Sequence, residues 1–527
     1  MFDLTKLDAA IQYEGGVSRR LFLAYAASLS AVPLLGRVAR GRTSVQSFSA
    51  NPFSVGVASG DPNPSGVVLW TRLAPKPLEP GGGLSPEPID VAWEIAEDDA
   101  MQRLVKQGTT VAAPQLAHSV HVEVDGLKPD RWYWYRFRVG DAESPIGRTR
   151  TMPAADATPD KLGIAFASCQ HYEAGYYTAY ESMAQDDVDL VFHLGDYIYE
   201  GPARDGGIRQ HVGPEIKSLD DYRIRHALYK SDPLLQAMHA RCPWMVTWDD
   251  HETDNNYAND ISEKLEVAPA DFLKRRAAAY QAYYEMMPLR ATSLPSGPNM
   301  QLYRNVSFGR LAEFLVLDTR QYRTDQPNGD GLRRLNKAAL APQNSILGRE
   351  QRAWVEESLA ASPAAWNVLA QQVMMGMVDQ RPGEKQRYSM DQWPGYARER
   401  MDLVQLIADR KVSNPVVITG DIHTNWVNNL RVDDRQSEAP VVATEFVGTS
   451  ISSGSGSPSR REIEILKSEN PGVQFHNAER GYVRATITPK SWTTDFRVVD
   501  DVTKPGGKVT TRATYVVEAG TPGAKQA

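Results

Sequence analysis

Cysteine is scarce in this chain: only Cys169 and Cys242 occur among 527 residues. A disulfide-rich framework is therefore excluded, and a chain of this length buries a core large enough to fold without such cross-links. The two thiols are compatible with one bridge in an oxidising compartment or with two separate roles. Both alternatives stay open on the sequence alone.

Two common catalytic motifs are also missing. The apolar runs are not followed by a G-x-S-x-G nucleophile elbow, and no G-x-x-x-x-G-K-[ST] phosphate loop is present. The second absence argues against nucleotide-driven chemistry. Positive charge is not in excess either, because the formal net charge is −7, so there is no electrostatic case for a nucleic-acid partner.

The only candidate for a membrane or export segment lies at the N-terminus. Arg19 and Arg20 directly precede an apolar run over residues 21–36, which predicts a twin-arginine export signal within residues 1–45. The run is broken by Pro33 and is short for a spanning helix of about 20 residues; an amphipathic helix or an uncleaved anchor is the alternative. We therefore expect the twin-arginine machinery as a partner. The mature protein would have no transmembrane span and would be periplasmic, cell-wall-associated or secreted.

The first part of the mature chain has the pattern of an all-β domain. Residues 46–152 alternate apolar and polar side chains between turns rich in glycine, proline and aspartate. Short strands with turns at this spacing predict a small β-sandwich of the immunoglobulin or fibronectin kind. The stretch PAADATPD at residues 153–160 is the expected linker.

The remainder, residues 153–527, has an α/β pattern. Short apolar runs alternate with helical stretches; these runs are 162–167, 188–193, 243–248, 312–318, 366–370 and 415–419. Near-continuous apolar strands between helices predict an α/β core with both sheet faces covered. Further strands after about residue 431 form a C-terminal β extension, and the composition of residues 448–460 predicts a flexible loop.

Polar side chains follow every one of these apolar runs. The clusters contain carboxylates, imidazoles, a phenol and a thiol, and they begin at Ser168, Gly195, Asp249, Asp318, Gln371 and Gly420. Ligands bind beyond the carboxyl ends of strands in open α/β sheets. Since these side chains are metal ligands with hard oxygen donors in excess, metal-assisted hydrolysis is the leading class of activity.

Three blocks make a family resemblance specific. They are Gly195-Asp196-x-x-Tyr199, Asp250-His251-Glu252 and Gly420-Asp421-Ile422-His423, which resemble blocks of the binuclear metallophosphatase superfamily. With Ser168-Cys169, they are most similar to the PhoD-like alkaline phosphatase/phosphodiesterase family. The resemblance implies a metallophosphatase-type layered α/β sandwich core behind the small β domain.

The resemblance also implies roles for individual residues. Asp196 would bridge two metal sites, while Tyr199, Cys169 and His423 would bind Fe(III). Asp250 and Asp421 would face a second site, which in this family holds Ca²⁺.

Other residues are assigned with less support from the motifs. His251 is the candidate catalytic residue, which would stabilise phosphoryl oxygens or protonate the leaving group. Arg320 and Arg323 are candidates for clamping phosphate. The superfamily's V-x-x-H block has no counterpart, and whether Gln371 or Gln372 coordinates calcium stays open.

Several nearby residues are given ordinary structural roles. Cys242 is expected to be structural, and Asp249 is divided between an outer position at the metal site and a helix N-cap. His171 and His211 are expected to be packing residues.

Together these features predict an exported metal-dependent alkaline phosphatase/phosphodiesterase. Hydroxide activated at the metal centre would attack phosphorus in line in a phosphate mono- or diester. Two alternatives stay open: phospholipase-D-like release of lipid headgroups, and a non-catalytic binding protein that metals only stabilise.

Overall fold

The computed structural model describes residues 48, 50–381, 383, 386–454, 456 and 458–527. The predicted export signal at residues 1–45 lies outside this part of the chain. Within it, no helix is both long and apolar enough to cross a membrane.

The N-terminal segment consists of eight strands in two layers. In chain order they are β1 (Val57–Asn63), β2 (Gly66–Arg72), β3 (Ile89–Ala96), β4 (Leu104–Ala112), β5 (Ser119–Val124), β6 (Trp132–Val139), β7 (Ala142–Glu143) and β8 (Gly147–Arg150). Strands β1, β2 and β5 form one layer, and β4, β3, β6 and β7 form the other, with β8 paired to β6. Alternating inward side chains from both layers, such as Leu69 and Phe137, share one apolar core.

The rest of the described chain contains sixteen strands and seven α-helices. The strands are β9 (Leu162–Ala167), β10 (Leu190–Leu194), β11 (Trp244–Thr247), β12 (Arg304–Phe308), β13 (Ala312–Val316), β14 (Leu332–Arg333), β15 (Trp366–Ala370), β16 (Tyr388–Ser389), β17 (Pro415–Thr419), β18 (Asn425–Leu430), β19 (Ala443–Val447), β20 (Val473–Asn477), β21 (Gly481–Ile487), β22 (Ser491–Val499), β23 (Val509–Glu518) and β24 (Thr521–Gln526). The helices are α1 (Thr178–Met183), α2 (Leu219–Lys230), α3 (Pro233–His239), α4 (Pro269–Met286), α5 (Gly348–Ala361), α6 (Ala397–Asp409) and α7 (Arg460–Glu469).

Two mixed sheets pack face to face at the centre of the molecule. The larger has the order β24-β23-β22-β21-β9-β10-β11-β1-β2-β5, and the smaller has the order β12-β13-β15-β17-β19-β18-β20. Apolar side chains from both sheets form the core between them, where the rings of Phe192 and Phe314 are 4.7 Å apart. Helices α1 to α4 cover the outer face of the larger sheet, and α5 and α6 cover that of the smaller. The predicted α/β fold with an N-terminal domain is confirmed.

The N-terminal layer β1-β2-β5 continues the larger sheet of the α/β part. Strand β1 joins β11 through one parallel pair, Gly60 with Trp244. A Cβ atom at Gly60 would lie 2.5 Å from the Pro288 carbonyl oxygen and 2.7 Å from that of Trp244, so only glycine permits this approach. No strand lies between residues 151 and 161, where the domain boundary is predicted.

The parallel strands of both sheets direct their carboxyl ends to the same edge of the molecule. Strands β9, β10 and β11 are parallel in one sheet, and β13, β15, β17 and β19 are parallel in the other. A parallel bridge between Ser168 and Ser450 joins the segments that follow β9 and β19. The loops that carry the polar clusters therefore meet in one place.

Candidate metal centre

Four of the predicted ligand residues have a left-handed backbone. Their φ angles are 58° at Cys169, 56° at Asp196, 64° at Asp421 and 59° at His423. Non-glycine residues rarely adopt this conformation, and it persists where the surrounding structure enforces it, often at functional sites. The sharp turns after β9, β10 and β17 aim these side chains away from the strand direction and towards one another.

The residue that precedes Asp196 must be glycine for a steric reason. Gly195 has a φ angle of 111°, and a Cβ atom there would lie 2.4 Å from the Cβ atom of Asp249. The loops after β10 and β11 can therefore touch only because this residue has no side chain. This contact places Asp196 beside Asp250.

One donor set contains a thiol, a carboxylate and an imidazole. Ligand atoms of Cys169, Asp196 and His423 all lie within 4.8 Å of one another. The hydroxyl of Tyr199 donates to Asp196 Oδ2 at 2.9 Å and lies 3.2 Å from His423 Nε2. His423 Nδ1 is 2.8 Å from the Gly454 carbonyl oxygen, so Nδ1–H donates there and the Nε2 lone pair faces the other donors.

A second donor set shares Asp196 with the first. Ligand atoms of Asp196, Asp250 and His251 also lie within 4.8 Å of one another. Asp421 is in neither set at this distance; its Oδ2 accepts a hydrogen bond from Gln392 Nε2 at 2.7 Å. The structure thus brings together six of the predicted site residues around Asp196 and places Asp421 at their border, where its carboxylate still acts electrostatically on Asp250.

The donors fit metal cations. Asp196 Oδ1 and Asp249 Oδ2 are buried without a hydrogen-bond partner. Burial raises the pKa of Asp196 well above its ordinary range, and the carboxylates of Asp250 and Asp249 add to the shift. Burial likewise raises the pKa of the Cys169 thiol. Bound cations would supply the missing partner of Asp196 Oδ1 and stabilise the ionised forms of these groups.

His251 is paired with a carboxylate that the sequence analysis did not assign. Its Nδ1 lies 2.7 Å from Glu200 Oε2, and Glu200 Oε1 accepts the backbone N–H of Asn255 at 3.0 Å. Although burial opposes it, the charge of Glu200 raises the pKa of His251 well above its ordinary range, with Asp250 adding to the effect. Glu200 thereby favours the imidazolium form of His251, with Nδ1–H directed to Glu200. The signal was present in the sequence, since Glu200 ends the same block as Asp196.

The structure corrects the phosphate-clamp role predicted for Arg320 and Arg323. Both side chains are fully buried. Arg320 donates to Asp249 Oδ1 at 2.5 Å and to the two carboxylate oxygens of Asp391 at 2.7 and 2.8 Å. Arg323 donates to Asp391 Oδ1 at 2.8 Å. Their charges are thus already engaged by carboxylates beneath the site.

Arg320 acts on the metal centre indirectly. Its Nη2 lies 3.7 Å from Asp250 Oδ2. Although burial opposes it, the guanidinium lowers the pKa of Asp250. Asp249, for which the sequence left two roles open, is the carboxylate that pairs with Arg320.

The side-chain oxygens of the two glutamines after β15 both accept hydrogen bonds. Gln371 Oε1 accepts from Trp393 Nε1 at 3.0 Å. Gln372 Oε1 accepts from the backbone and hydroxyl of Thr319 at 3.1 and 2.7 Å, and its Nε2 donates to Thr247 Oγ1 at 2.7 Å. Gln372 therefore ties the end of β11 to the segment that follows β13, and Gln371 is held by Trp393.

Glu252 is a second residue whose role the sequence analysis missed. Its Oε2 accepts the backbone N–H groups of Asp196 at 3.1 Å and Asp249 at 2.8 Å, and its Oε1 accepts that of Tyr197 at 2.5 Å. One buried carboxylate thereby sets the distance between the loops after β10 and β11. Its place next to His251 was the only signal in the sequence.

The first part of the predicted flexible loop at residues 448–460, namely residues 449–453, is instead packed against the metal-site loops. Thr449 to Ser453 are buried. Ser453 Oγ lies 2.7 Å from the Tyr199 hydroxyl and 2.7 Å from the Cys169 carbonyl oxygen. A serine- and glycine-rich stretch is ordered here because its polar groups bond to the metal-site loops.

Both cysteines are free thiols in buried positions. Cys242 packs in the apolar core beneath the larger sheet. The disulfide alternative is therefore wrong, and Cys169 is available as a ligand.

Comparisons with known proteins agree with this architecture. The family model of the PhoD-like phosphatase matches residues 164–496, and that of the PhoD-like phosphatase N-terminal domain matches residues 39–153. Alkaline phosphatase D of Bacillus subtilis (strain 168) is 51% identical over 477 residues, which are 89% of this chain and 82% of that protein. A solved structure described as "Structure of PhoD" superposes with a TM-score of 0.88 at 50% identity, covering 91% of this chain and 93% of that one. The resemblance predicted from the motifs is confirmed: the chain belongs to the PhoD-like phosphatase family and is a metal-dependent phosphoric ester hydrolase.

Proposed function

We propose that the chain hydrolyses phosphate mono- and diesters at a centre holding Fe(III) and Ca²⁺. Fe(III) would be bound by Cys169, Asp196, Tyr199 and His423, and Ca²⁺ by Asp196, Asp250 and Asp421. The observation that carries the proposal is that Asp196 belongs to both donor sets, as a carboxylate bridging two cations must.

The donor types support this division of metals. Thiolate, phenolate and imidazole suit a transition metal, whereas the carboxylates of the second set suit a hard cation such as Ca²⁺. When bound, the cations supply an activated water as nucleophile and offset charge on the phosphoryl oxygens.

The chain's own contribution to the chemistry is proton transfer and positioning. Glu200 orients His251 through Nδ1 and favours the imidazolium form. We assign His251 Nε2–H as the proton donor to the departing alkoxide, since His251 lies in the same donor set as Asp196 and Asp250. Glu252 and Arg320 hold the ligand loops in place without touching the substrate.

Three finer features are part of the same proposal. Residues 1–45 would direct export by the twin-arginine pathway, which makes the mature protein periplasmic, cell-wall-associated or secreted. The four-layer core would have the metallophosphatase arrangement. The N-terminal pair of sheets would be immunoglobulin- or fibronectin-like.

The test combines metal analysis with activity. Iron and calcium are measured per chain in natively isolated protein, and hydrolysis of bis(p-nitrophenyl) phosphate is assayed for wild type and Asp196→Ala. The matched control is Asp187→Ala, which removes an exposed carboxylate that pairs with Lys161. We expect both metals, and loss of activity only in Asp196→Ala.

Three results would count against the proposal. Zinc alone, without iron or calcium, would contradict the metal assignment, and full activity in Asp196→Ala would contradict the site. Release of choline from phosphatidylcholine at a higher kcat/KM than diester hydrolysis would favour the phospholipase alternative.

A further inference from the structure

A strip of positive charge borders the catalytic centre on the side of Asp250 and Asp421. The stretches 328–337 and 380–390 contain six basic and two acidic residues, whereas the whole chain has a formal net charge of −7. Strands β14 and β16 lie in these stretches and pair antiparallel. The basic ribbon, as we call it, comprises the basic residues that the structure describes there, which are Arg333, Arg334, Lys337, Arg381 and Arg387. Positive charge is therefore concentrated beside a site that acts on phosphate esters.

The first strand of the basic ribbon begins next to the metal centre. Asp330 Oδ2 accepts a hydrogen bond from Asn256 Nδ2 at 2.8 Å. The backbone N–H of Asn256 donates in turn to Asp250 Oδ2 at 2.7 Å. One asparagine thus separates the start of the ribbon from a ligand of the proposed Ca²⁺ site. Arg333 follows Asp330 by three residues, which span at most about 11 Å.

The second strand of the basic ribbon ends next to the same centre. The backbone N–H of Met390 donates to the Gly331 carbonyl oxygen at 3.2 Å, which holds the two strands together at this end. Gln392 follows β16 by three residues, and its Nε2 donates to Asp421 Oδ2 at 2.7 Å. Because the strands are antiparallel, the ribbon is attached to the centre through both of them and extends away from it.

The cationic groups of the basic ribbon are available to a ligand. Four of the five side chains are exposed, and that of Arg387 is half-buried. Among the residues that the structure describes, none of the five pairs with a carboxylate. Arg333 donates from Nε and Nη1 to the backbone carbonyl oxygens of Asn328 and Leu332, at 3.2 and 3.1 Å. These contacts hold the guanidinium beside the segment that ends at Asp330 and leave its charge uncompensated.

The acidic side chains at the base of the basic ribbon are bonded to neutral groups. Asp379 is buried, and its Oδ1 accepts the backbone N–H groups of Arg381 and Arg387 at 3.0 and 2.8 Å. Asp330 accepts the side-chain amide of Asn256. Neither carboxylate lies within ion-pair distance of a head group of the ribbon, so the positive charge is directed to solvent.

We propose that the basic ribbon binds a second phosphate of the substrate while the first is hydrolysed at the metal centre. Guanidinium groups bind phosphate strongly and with defined geometry. Because the ribbon leads away from the centre, its charges lie along the rest of the substrate and not at the scissile bond. The favoured substrates are phosphate esters that carry another phosphate several bonds from the reacting one. This inference rests on the proposed function, since it assigns the specificity of the same site.

The exposure of the basic ribbon sets the size of the expected effect. An exposed ion pair strengthens binding by up to about fivefold. Two or three such contacts predict an affinity gain of about 5- to 50-fold for a ligand with a second phosphate. The gain should shrink as ionic strength rises, because salt screens interactions between exposed charges.

The test measures the binding of hydrolysis-resistant probes to the metal-loaded protein. Alkane diphosphonates with about two to eight methylene groups between the phosphonates are compared, by calorimetry, with alkylphosphonates of the same chain length. The variant is the double substitution Arg333→Gln/Arg334→Gln, at two exposed positions. Arg310→Gln is the matched control, because Arg310 is exposed in the turn before β13, at the sheet edge opposite the catalytic centre.

We expect wild type and Arg310→Gln to bind the longer diphosphonates about 5- to 50-fold more tightly than the matching alkylphosphonates. The double variant should lose this preference, while its affinity for alkylphosphonates stays at the wild-type level and shows that the centre is intact. No preference in wild type, or an equal preference in the double variant, would overturn the proposal.

Two further measurements separate this proposal from its alternatives. If the double variant lost binding to phosphatidylglycerol vesicles but kept the diphosphonate preference, the basic ribbon would face a lipid surface and the proposal would be overturned. Hydrolysis of bis(p-nitrophenyl) phosphate is measured separately. Because the phosphonate probes are not hydrolysed, a lack of activity would count against the proposed function alone, and the binding comparison would still decide the role of the ribbon.

Discussion

The pair formed by Glu200 and His251 gives a sharp prediction about the chemical step. Glu200→Gln keeps the size of the side chain and an oxygen for the Asn255 N–H, but it removes the charge that favours the imidazolium of His251. We expect hydrolysis of alkyl phosphate esters, whose leaving groups need a proton, to slow markedly. Hydrolysis of p-nitrophenyl esters should change little, because that leaving group departs as a stable anion.

The size of the effect follows from the 2.7 Å contact between His251 Nδ1 and Glu200 Oε2. A hydrogen bond to a charged group contributes about 1.5–3 kcal/mol. If that contribution is lost from the transition state, the rate falls about 10- to 150-fold. Because both side chains are mostly buried, we expect a rate loss towards the upper end of this range.

The assay compares kcat for an alkyl and a p-nitrophenyl diester in wild type, Glu200→Gln and His251→Asn. Glu263→Gln is the control for loss of one carboxylate nearby, since Glu263 contacts Asn255 and does not touch His251. Equal losses on both substrates in Glu200→Gln would refute the assignment of His251 as the acid. If Glu263→Gln lowered kcat for the alkyl diester as much as Glu200→Gln does, the specific role of Glu200 would be refuted.

Three further predictions concern metal retention and stability. Cys169→Ser should lower the iron content of purified protein, whereas Cys242→Ser should leave it unchanged; elemental analysis decides. Arg320→Met should lower the free energy of unfolding of chelator-treated protein by about 3–5 kcal/mol, because it leaves the Asp249 carboxylate buried without its arginine partner. Urea denaturation measures this, and no loss would refute the role of the ion pair. Burial lowers the pKa of Lys230 to about 7, while the unfolded amine keeps its proton to about pH 10.4, so wild-type stability rises with pH across that window. Lys230→Met should therefore be more stable than wild type by about 5 kcal/mol at pH 6 and about 2 kcal/mol at pH 9, and a difference independent of pH would contradict this.

The sequence predicts the central strands well because they are buried on both faces. The runs at 162–167, 366–370 and 415–419 coincide with β9, β15 and β17. A continuous apolar run ended by a polar cluster is a local signal, so the neighbouring residues suffice to find it. The division of these strands between two sheets depends on long-range pairing and could not be predicted locally.

Helix α2 is an element that an apolar periodicity does not reveal. Helix α2 buries Arg225, His226 and Lys230 together with its aromatic residues, so its inward face does not look apolar in the sequence. Such a helix is stabilised by specific polar contacts and by its Ser218 capping box, which periodicity alone does not reveal.

Residues of the candidate metal centre could be predicted from the sequence where they belong to a motif. Residues whose role depends only on contacts in the folded structure could not. Asp196, Tyr199 and Asp250 lie in blocks with family counterparts. Ser453 comes from a stretch whose composition resembles a disordered loop, and its contact with Tyr199 spans 254 positions in the chain. Arg320 was mistaken for a phosphate ligand because sequence shows charge but not burial.

The position of β9 in the larger sheet has a consequence for the order of assembly. On one side β9 pairs with β10, but on the other it pairs with β21, so that Phe166 lies opposite Val483. Closing so long a loop is slow compared with local pairing, and the strand that precedes Cys169 remains an open edge until the chain has been synthesised almost to its end. The site can therefore mature only after translation has passed β21. A truncation between residues 424 and 480 would therefore disrupt the catalytic centre while leaving every one of its ligands in the chain.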